Sequence, residues 1–192
     1  MPRIEVIIDA ENKPENLPSF KEIVKQCFAM GPLQYTATNI HGVRLTLAKR
    51  FSNHATYAWV KFSRTISMGE ARTQSLVAQF LNDTSNSAVR SPQVYLAFTW
   101  GGFGFIIMEY IDGQICGDSG VDLVVAAVKT LISIPSPTSV PVPVGGGMIE
   151  HPFFIERTSS ILYKSVEELM DHINGVSVPF CLALSLSQLG AF

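Results

Sequence analysis

The stretch Gln93 to Ile111, QVYLAFTWGGFGFIIMEYI, holds two runs of β-branched, aromatic and other apolar residues that meet at Gly101-Gly102. Such runs favour extended backbone. A glycine pair accepts the positive φ angles that a two-residue hairpin turn demands. The pattern predicts two antiparallel strands joined at the glycines, with Asp112-Gly113 ending the second. More strand-like sequence lies upstream. Gln34 to Phe62 alternates in places, and its last part, ATYAWVKF, is rich in aromatic and β-friendly residues.

Helical patterns flank these strands. In PSFKEIVKQCF, Phe20, Ile23, Val24, Cys27 and Phe28 fall on one helical face, and Ser19 with Glu22 fits a capping box. SMGEARTQSLVAQFL carries an apolar stripe of Leu76, Val77, Phe80 and Leu81, and Ser67 with Glu70 forms a second such box. VDLVVAAVKTLISI reads as an apolar helix, and Pro135 to Gly147 as a loop. Ser165 to Asn174 is a short helix with Val166, Leu169, Met170 and Ile173 facing inward, Ser165 and Glu168 capping it and Gly175 ending it. The order gives an α+β lobe of antiparallel sheet plus helix, followed by a helical lobe. A chain of 192 residues, 47% hydrophobic, has the length for one large domain or two lobes around a cleft.

Composition excludes several classes. A net charge of -2 without any Lys/Arg run argues against nucleic-acid binding. Cys27, Cys116 and Cys181 are an odd count without C-x-x-C spacing and read as reduced thiols. The first residues lack a signal-peptide pattern, so a cytoplasmic, enzyme-like domain is expected. The tail from Val176 to Phe192 carries no charge, yet it is short and serine-rich against the roughly 20 apolar residues of a membrane span. Gly145-Gly146-Gly147 is followed by no G-K-[ST] and is no P-loop. His41, His54, His151 and His172 show no metal spacing.

Lys61 is the cation that an apolar strand does not explain. Alternation puts it on a face with Tyr57 and Trp59, and puts Ala58, Val60 and Phe62 on the other. A strand at a sheet edge would use lysine against unwanted pairing. Alternatively its stem lies on apolar surface while the ammonium reaches water. Glu70, early in the next helix, either completes the cap with Ser67 or pairs with Lys61.

A strand bearing lysine, a helix with an early glutamate, then a hairpin ending FIIMEYIDG is an order that resembles the N-lobe of protein kinases. The whole arrangement resembles the aminoglycoside phosphotransferase and choline kinase-like superfamily, and more closely its fungal members. The segments ATNIHGVRLTLAKRFSNHATYAWVKF, ISMGEARTQSLVAQFL, VYLAFTWGGFGFIIMEYIDG and PVPVGGGMIEHPFF carry the likeness. It implies a kinase-like fold and ATP-dependent phosphotransfer, with Mg²⁺, to a hydroxyl of a small molecule. Lys61 would contact nucleotide phosphate and Glu70 would hold Lys61. Met108, Glu109, Tyr110 and Ile111 would form the adenine wall, Met108 behind the ring and the backbone of Glu109 and Ile111 at its edge.

Two departures qualify that implication. Trp59 stands where the family's adenine pocket has a small or aliphatic residue, and it fills or reshapes that pocket. The family's catalytic H-x-D segment, its following Asn and its metal-binding Asp have no counterpart. Beyond the hinge the chain offers only Asp112, Asp118, Asp122 and Asp171, none in that pattern. The expectation is thus a relative truncated before the catalytic loop, with no catalytic or metal residue to assign. Residues 1–30 would be an N-terminal segment with a helix, 31–113 the N-lobe and hinge, 114–175 the start of an incomplete C-lobe, and 176–192 an unmatched tail. The competing class is a non-catalytic, pseudokinase-type binding or interaction module.

Overall fold

Gly101 and Gly102 adopt φ of 58° and 78°, and Trp100 pairs with Phe103 across them. Two consecutive positive φ angles give the turn a twist that matches the flanking strands, which is why glycine stands at both positions. The structure is a computed structural model describing residues 3–29, 42–47, 56–84, 89–114, 116–117, 120–151, 153–154 and 156–175. His41, His54, Asp118, Cys181 and the uncharged tail lie outside the described residues. The chain divides into two compact units, Met1–Pro135 and Ser136–Phe192.

The first unit is α+β. Its elements are β1 (Ile4–Asp9), α1 (Phe20–Ala29), β2 (Gly42–Leu47), β3 (Thr56–Ser63), α2 (Met68–Asp83), β4 (Val94–Trp100), β5 (Phe103–Glu109) and α3 (Val121–Ile132). The five strands form one antiparallel sheet in the order β1-β4-β5-β3-β2. β1 was not foreseen. Glu5 and Asp9 interrupt its apolar run, and it finds its place only by pairing with distant β4 at the sheet edge, where charged residues are tolerated.

α1 covers one face of the sheet. Ile23, Val24 and Cys27 are buried there against Val43, Leu45, Leu47, Ala58, Val60, Phe62, Leu96, Phe98, Phe105 and Ile107. These strand residues alternate with outward-facing neighbours, as a sheet with one dominant core face requires. Ser19 Oγ accepts the Glu22 amide at 3.4 Å and marks the start of α1.

α2 covers the other face, and of the expected stripe only Leu81 is fully buried. Ala71, Ala78 and Leu81 are buried, whereas Phe80 is 38% exposed and Leu76 and Val77 are half-buried. Alanines let the helix axis approach the sheet closely, so packing selected the small residues and turned the bulky ones aside.

Burial pushes the Cys27 thiol up from its ordinary value of 9.0 to about 12. The folded state therefore keeps a proton that the unfolded chain releases. The contribution to stability is complete below about pH 9 and is lost as pH rises toward 12. Because the thiolate is the nucleophile, native protein treated with iodoacetamide near neutral pH should label at exposed Cys116 and not at Cys27. Peptide mass spectrometry reads the result, and rapid labelling of Cys27 before denaturation would contradict this burial.

In the second unit, Glu150 bridges Thr158 in an antiparallel turn that holds Arg157 at a φ of 57°. Ser159 Oγ accepts the Ile149 amide at 3.0 Å. A short helix, α4 (residues 166–175), follows. Ser165 Oγ accepts the Glu168 amide at 3.2 Å, and the Glu168 carboxylate accepts the Lys164 amide at 2.6 Å. Its inward face is the expected one in part: Leu169 and Ile173 are half-buried as foreseen, but Val166 and Met170 are exposed and His172 takes their place. His172 Nδ1 lies 3.1 Å from the hydroxyl of buried Tyr163, and that polar contact orients the helix. Among the described residues, no helix is long and apolar enough to cross a membrane.

Candidate functional site

β3 lies between β2 and β5, so Lys61 is not an edge lysine. Its register partners are Gly42 on β2 and Ile106 on β5. The other face of β3 is sealed, with Ala58 and Val60 fully buried. Lys61 is therefore committed to the face that α2 covers. There its ammonium pairs with the Glu70 carboxylate.

The cap and the ion pair coexist, because they use different parts of Glu70. Ser67 Oγ accepts the Glu70 backbone amide at 3.2 Å and starts α2. The Glu70 carboxylate is left to reach Lys61. The first turn of the helix is thereby tied to the middle of the sheet. Both side chains are about 40% exposed, at 40% and 37%. A pair that wet contributes at most about 1 kcal/mol to stability. What the arrangement does supply is a restrained cation: a flexible ammonium held in one place, with part of its surface open to a ligand.

Trp59 lies flat across β2. A Cβ built on Gly42 would stand 2.2 Å from indole Cε2 and Cζ2, so the glycine is the floor on which the ring rests. The indole packs against a buried cluster containing Ile106 and Met108. Its ring centre lies 6.3 Å from that of Tyr110, with the planes tilted by 34°. The Tyr57 and Tyr110 rings meet edge-on at 5.8 Å. Arg44 Cζ stands 4.5 Å from the Tyr57 centroid and 5.7 Å from that of Tyr110, a cation–π arrangement. This aromatic ledge with a cation at either side was missed at sequence level. Its only signal there was the alternation that put Tyr57, Trp59 and Lys61 on one face.

The end of β5 borders the ledge. Met108 is buried, and Gln74 Nε2 lies 3.2 Å from both its Sδ and the Pro92 carbonyl. The Glu109 amide donates to the Gln93 carbonyl at 2.8 Å, and its carboxylate pairs with Arg90. Burial, helped by the Glu109 charge and opposed by Arg90, raises the Tyr95 hydroxyl above its ordinary value. Glu109 is thus anchored on the β4 side through both amide and side chain, while Ile111 lies beyond the strand and is exposed.

His151 Nδ1 lies 3.1 Å from the Phe153 amide, a turn contact. A cavity of about 310 Å³ lies over the later part of α2, lined by residues that include Asn12, Ser75, Gln79 and Gln93, and it contains neither Lys61 nor Glu70. Among the described residues, no three His, Cys, Asp or Glu side chains are grouped so as to hold a metal ion.

Comparison of the chain with family models, with curated proteins and with solved structures finds no match in any of the three.

Proposed function

We propose that this chain is a kinase-like module of the aminoglycoside phosphotransferase and choline kinase type, a cytoplasmic protein that holds ATP without completing phosphoryl transfer. The observation that carries the reading is the Lys61–Glu70 pair, made between a central strand and the capped first turn of the following helix. An ammonium fixed by a carboxylate and still partly exposed is suited to phosphate oxygens. Trp59 offers a flat apolar surface on the same sheet face, and the backbone of Tyr110 and Ile111, beyond the end of β5, supplies the peptide groups for a base edge, the Glu109 amide being taken by the Gln93 carbonyl.

Mg²⁺ fits this site poorly as a protein-held ion. The described carboxylates are not grouped for it, and Glu70 is occupied by Lys61. We therefore assign no metal ligand and no transfer step to this chain, and no acceptor alcohol. A second reading, a non-catalytic interaction module that binds no nucleotide, is favoured by the same indole: a tryptophan flat on Gly42 takes up space that a base would otherwise occupy.

Fluorescence separates the two readings. Trp59 and Trp100 are the only tryptophans, and Trp100 packs against the opposite face of the sheet beside Phe28. In a Trp100→Phe variant, adding ATP with Mg²⁺ should quench Trp59 emission saturably as the base stacks on the indole. Emission that stays constant while unrelated nucleotide-binding controls respond would favour the interaction module.

A further inference from the structure

The cavity over the later part of α2 is a second concave surface, apart from the Lys61 face. Its helix wall is Ser75, Ala78, Gln79, Asn82 and Asp83, which fall on one face at i, i+3, i+4, i+7 and i+8. Asn12, in the loop after β1, and Gln93, just before β4, complete the lining. Ala78 and Val94, each 2% exposed, are its buried floor.

The walls are held by backbone hydrogen bonds. The Ala10 amide donates to the Tyr95 carbonyl at 3.0 Å, and the Ala10 carbonyl accepts the Lys13 amide at 3.2 Å, which fixes the loop that carries Asn12. The Gln93 carbonyl accepts the Glu109 amide at 2.8 Å, and Gln74 Nε2 donates to the neighbouring Pro92 carbonyl at 3.2 Å. A ligand therefore meets ordered backbone, and its affinity is spared the cost of ordering it.

The chemistry of the lining selects the ligand. Its four carboxamides and the Ser75 hydroxyl have no side-chain hydrogen-bond partner among the described residues. Each carboxamide donates from one end and accepts at the other. Asp83 is the single charge among the described lining residues, and α2 has no basic residue in its last turn. Without Lys, Arg or His, the lining gives a phosphate or carboxylate no charge to pair with. Adjacent hydroxyls, each donor and acceptor at once, match groups of this kind, and C–H edges match the apolar floor. A cavity of about 310 Å³ sits at the small end of the roughly 300–1,000 Å³ of ligand pockets, a size for one small ring rather than a length of peptide.

We propose that this cavity is a binding site for a small neutral polyol of monosaccharide size, held by the carboxamides of Asn12, Gln79, Asn82 and Gln93. The inference does not rest on nucleotide binding. Each hydrogen bond to such a group adds about two- to tenfold to affinity, so binding is weak and reversible.

The side-chain amide signals in ¹⁵N–¹H correlation spectra of the full chain test it, because they report on the groups named. Titration with glucose, galactose and myo-inositol should move these four signals saturably for at least one of the three. Gln26 of α1, whose side-chain amide donates to Glu22, should stay in place. Gln79 and Asn82 are exposed, and alanine supports a helix at such positions. Gln79→Ala and Asn82→Ala should each weaken binding about two- to tenfold, and the double variant should no longer saturate. Backbone signals that keep their positions show that each variant is folded. Inorganic phosphate and methylammonium should leave the four signals where they are. Signals unmoved by all three polyols, a drift shared by Gln26, or saturation that survives in the double variant would each overturn the proposal. So would an equal response to phosphate or methylammonium, which would make the cavity an ion site.

Discussion

Phe105→Ala is expected to lower the unfolding free energy by about 3–5 kcal/mol, the usual loss when a fully buried aromatic is truncated. Phe105 is completely buried on the central strand β5. Its ring stacks on Phe98 at 4.8 Å and 7°, and on Phe62 at 5.7 Å and 5°. Phe28 of α1 meets it edge-on at 6.4 Å. The substitution would thus empty the point where three strands and α1 meet. Neighbours on strands cannot collapse into the void without breaking register, so the cavity term should be near full size. Domains of this kind are stable by about 5–15 kcal/mol, so the variant should sit close to unfolding. Urea denaturation with an unchanged m-value and a much lower midpoint checks it. A loss below about 1 kcal/mol would mean that this stack is not the core.

The second large effect is on binding rather than folding. Glu70→Gln leaves the backbone amide that Ser67 caps, so α2 should start where it does now. It removes only the carboxylate that restrains Lys61. Because that pair is well exposed, stability should change by less than about 1 kcal/mol. ATP affinity, by contrast, should fall about tenfold or more, since the ammonium loses its fixed position and must be ordered by the ligand. Lys61→Ala removes the cation itself and should abolish measurable binding. Calorimetric titration of each variant separates this outcome from a general loss of fold. A Glu70→Gln chain that binds ATP like wild type would reduce the pair to a surface contact.

Much of this fold is written locally. Gly101-Gly102 states a hairpin because few other residues accept two positive φ angles in succession. Ser19, Ser67 and Ser165 state helix starts because a hydroxyl one step before the helix satisfies an orphan amide whatever the tertiary structure does. The pairing of Lys61 with Glu70 was legible as one of two alternatives; the surprise is that it does not exclude the cap.

What local pattern could not supply was set by partners far along the chain. Ile4–Asp9 becomes a strand only beside β4. The choice of Ala71 and Ala78 over Leu76 and Phe80 as the buried face of α2 depends on how near the sheet comes, which helical periodicity does not encode. The same holds for α4, where the Tyr163–His172 contact decides the inward side. Trp59 resting on Gly42 requires the β2–β3 register, since an out-of-register residue with a Cβ would lift the ring off the sheet.

The central question is whether the Lys61 face of the sheet is a nucleotide site. Thermal unfolding of the wild-type chain and of Lys61→Ala, each with increasing ATP and Mg²⁺, asks this most directly, because a ligand that binds only the folded state raises the melting temperature in step with its concentration. The prediction is a concentration-dependent rise for the wild-type chain and none for Lys61→Ala. A wild-type melting temperature that ATP does not move, or an equal rise in both proteins, would contradict it.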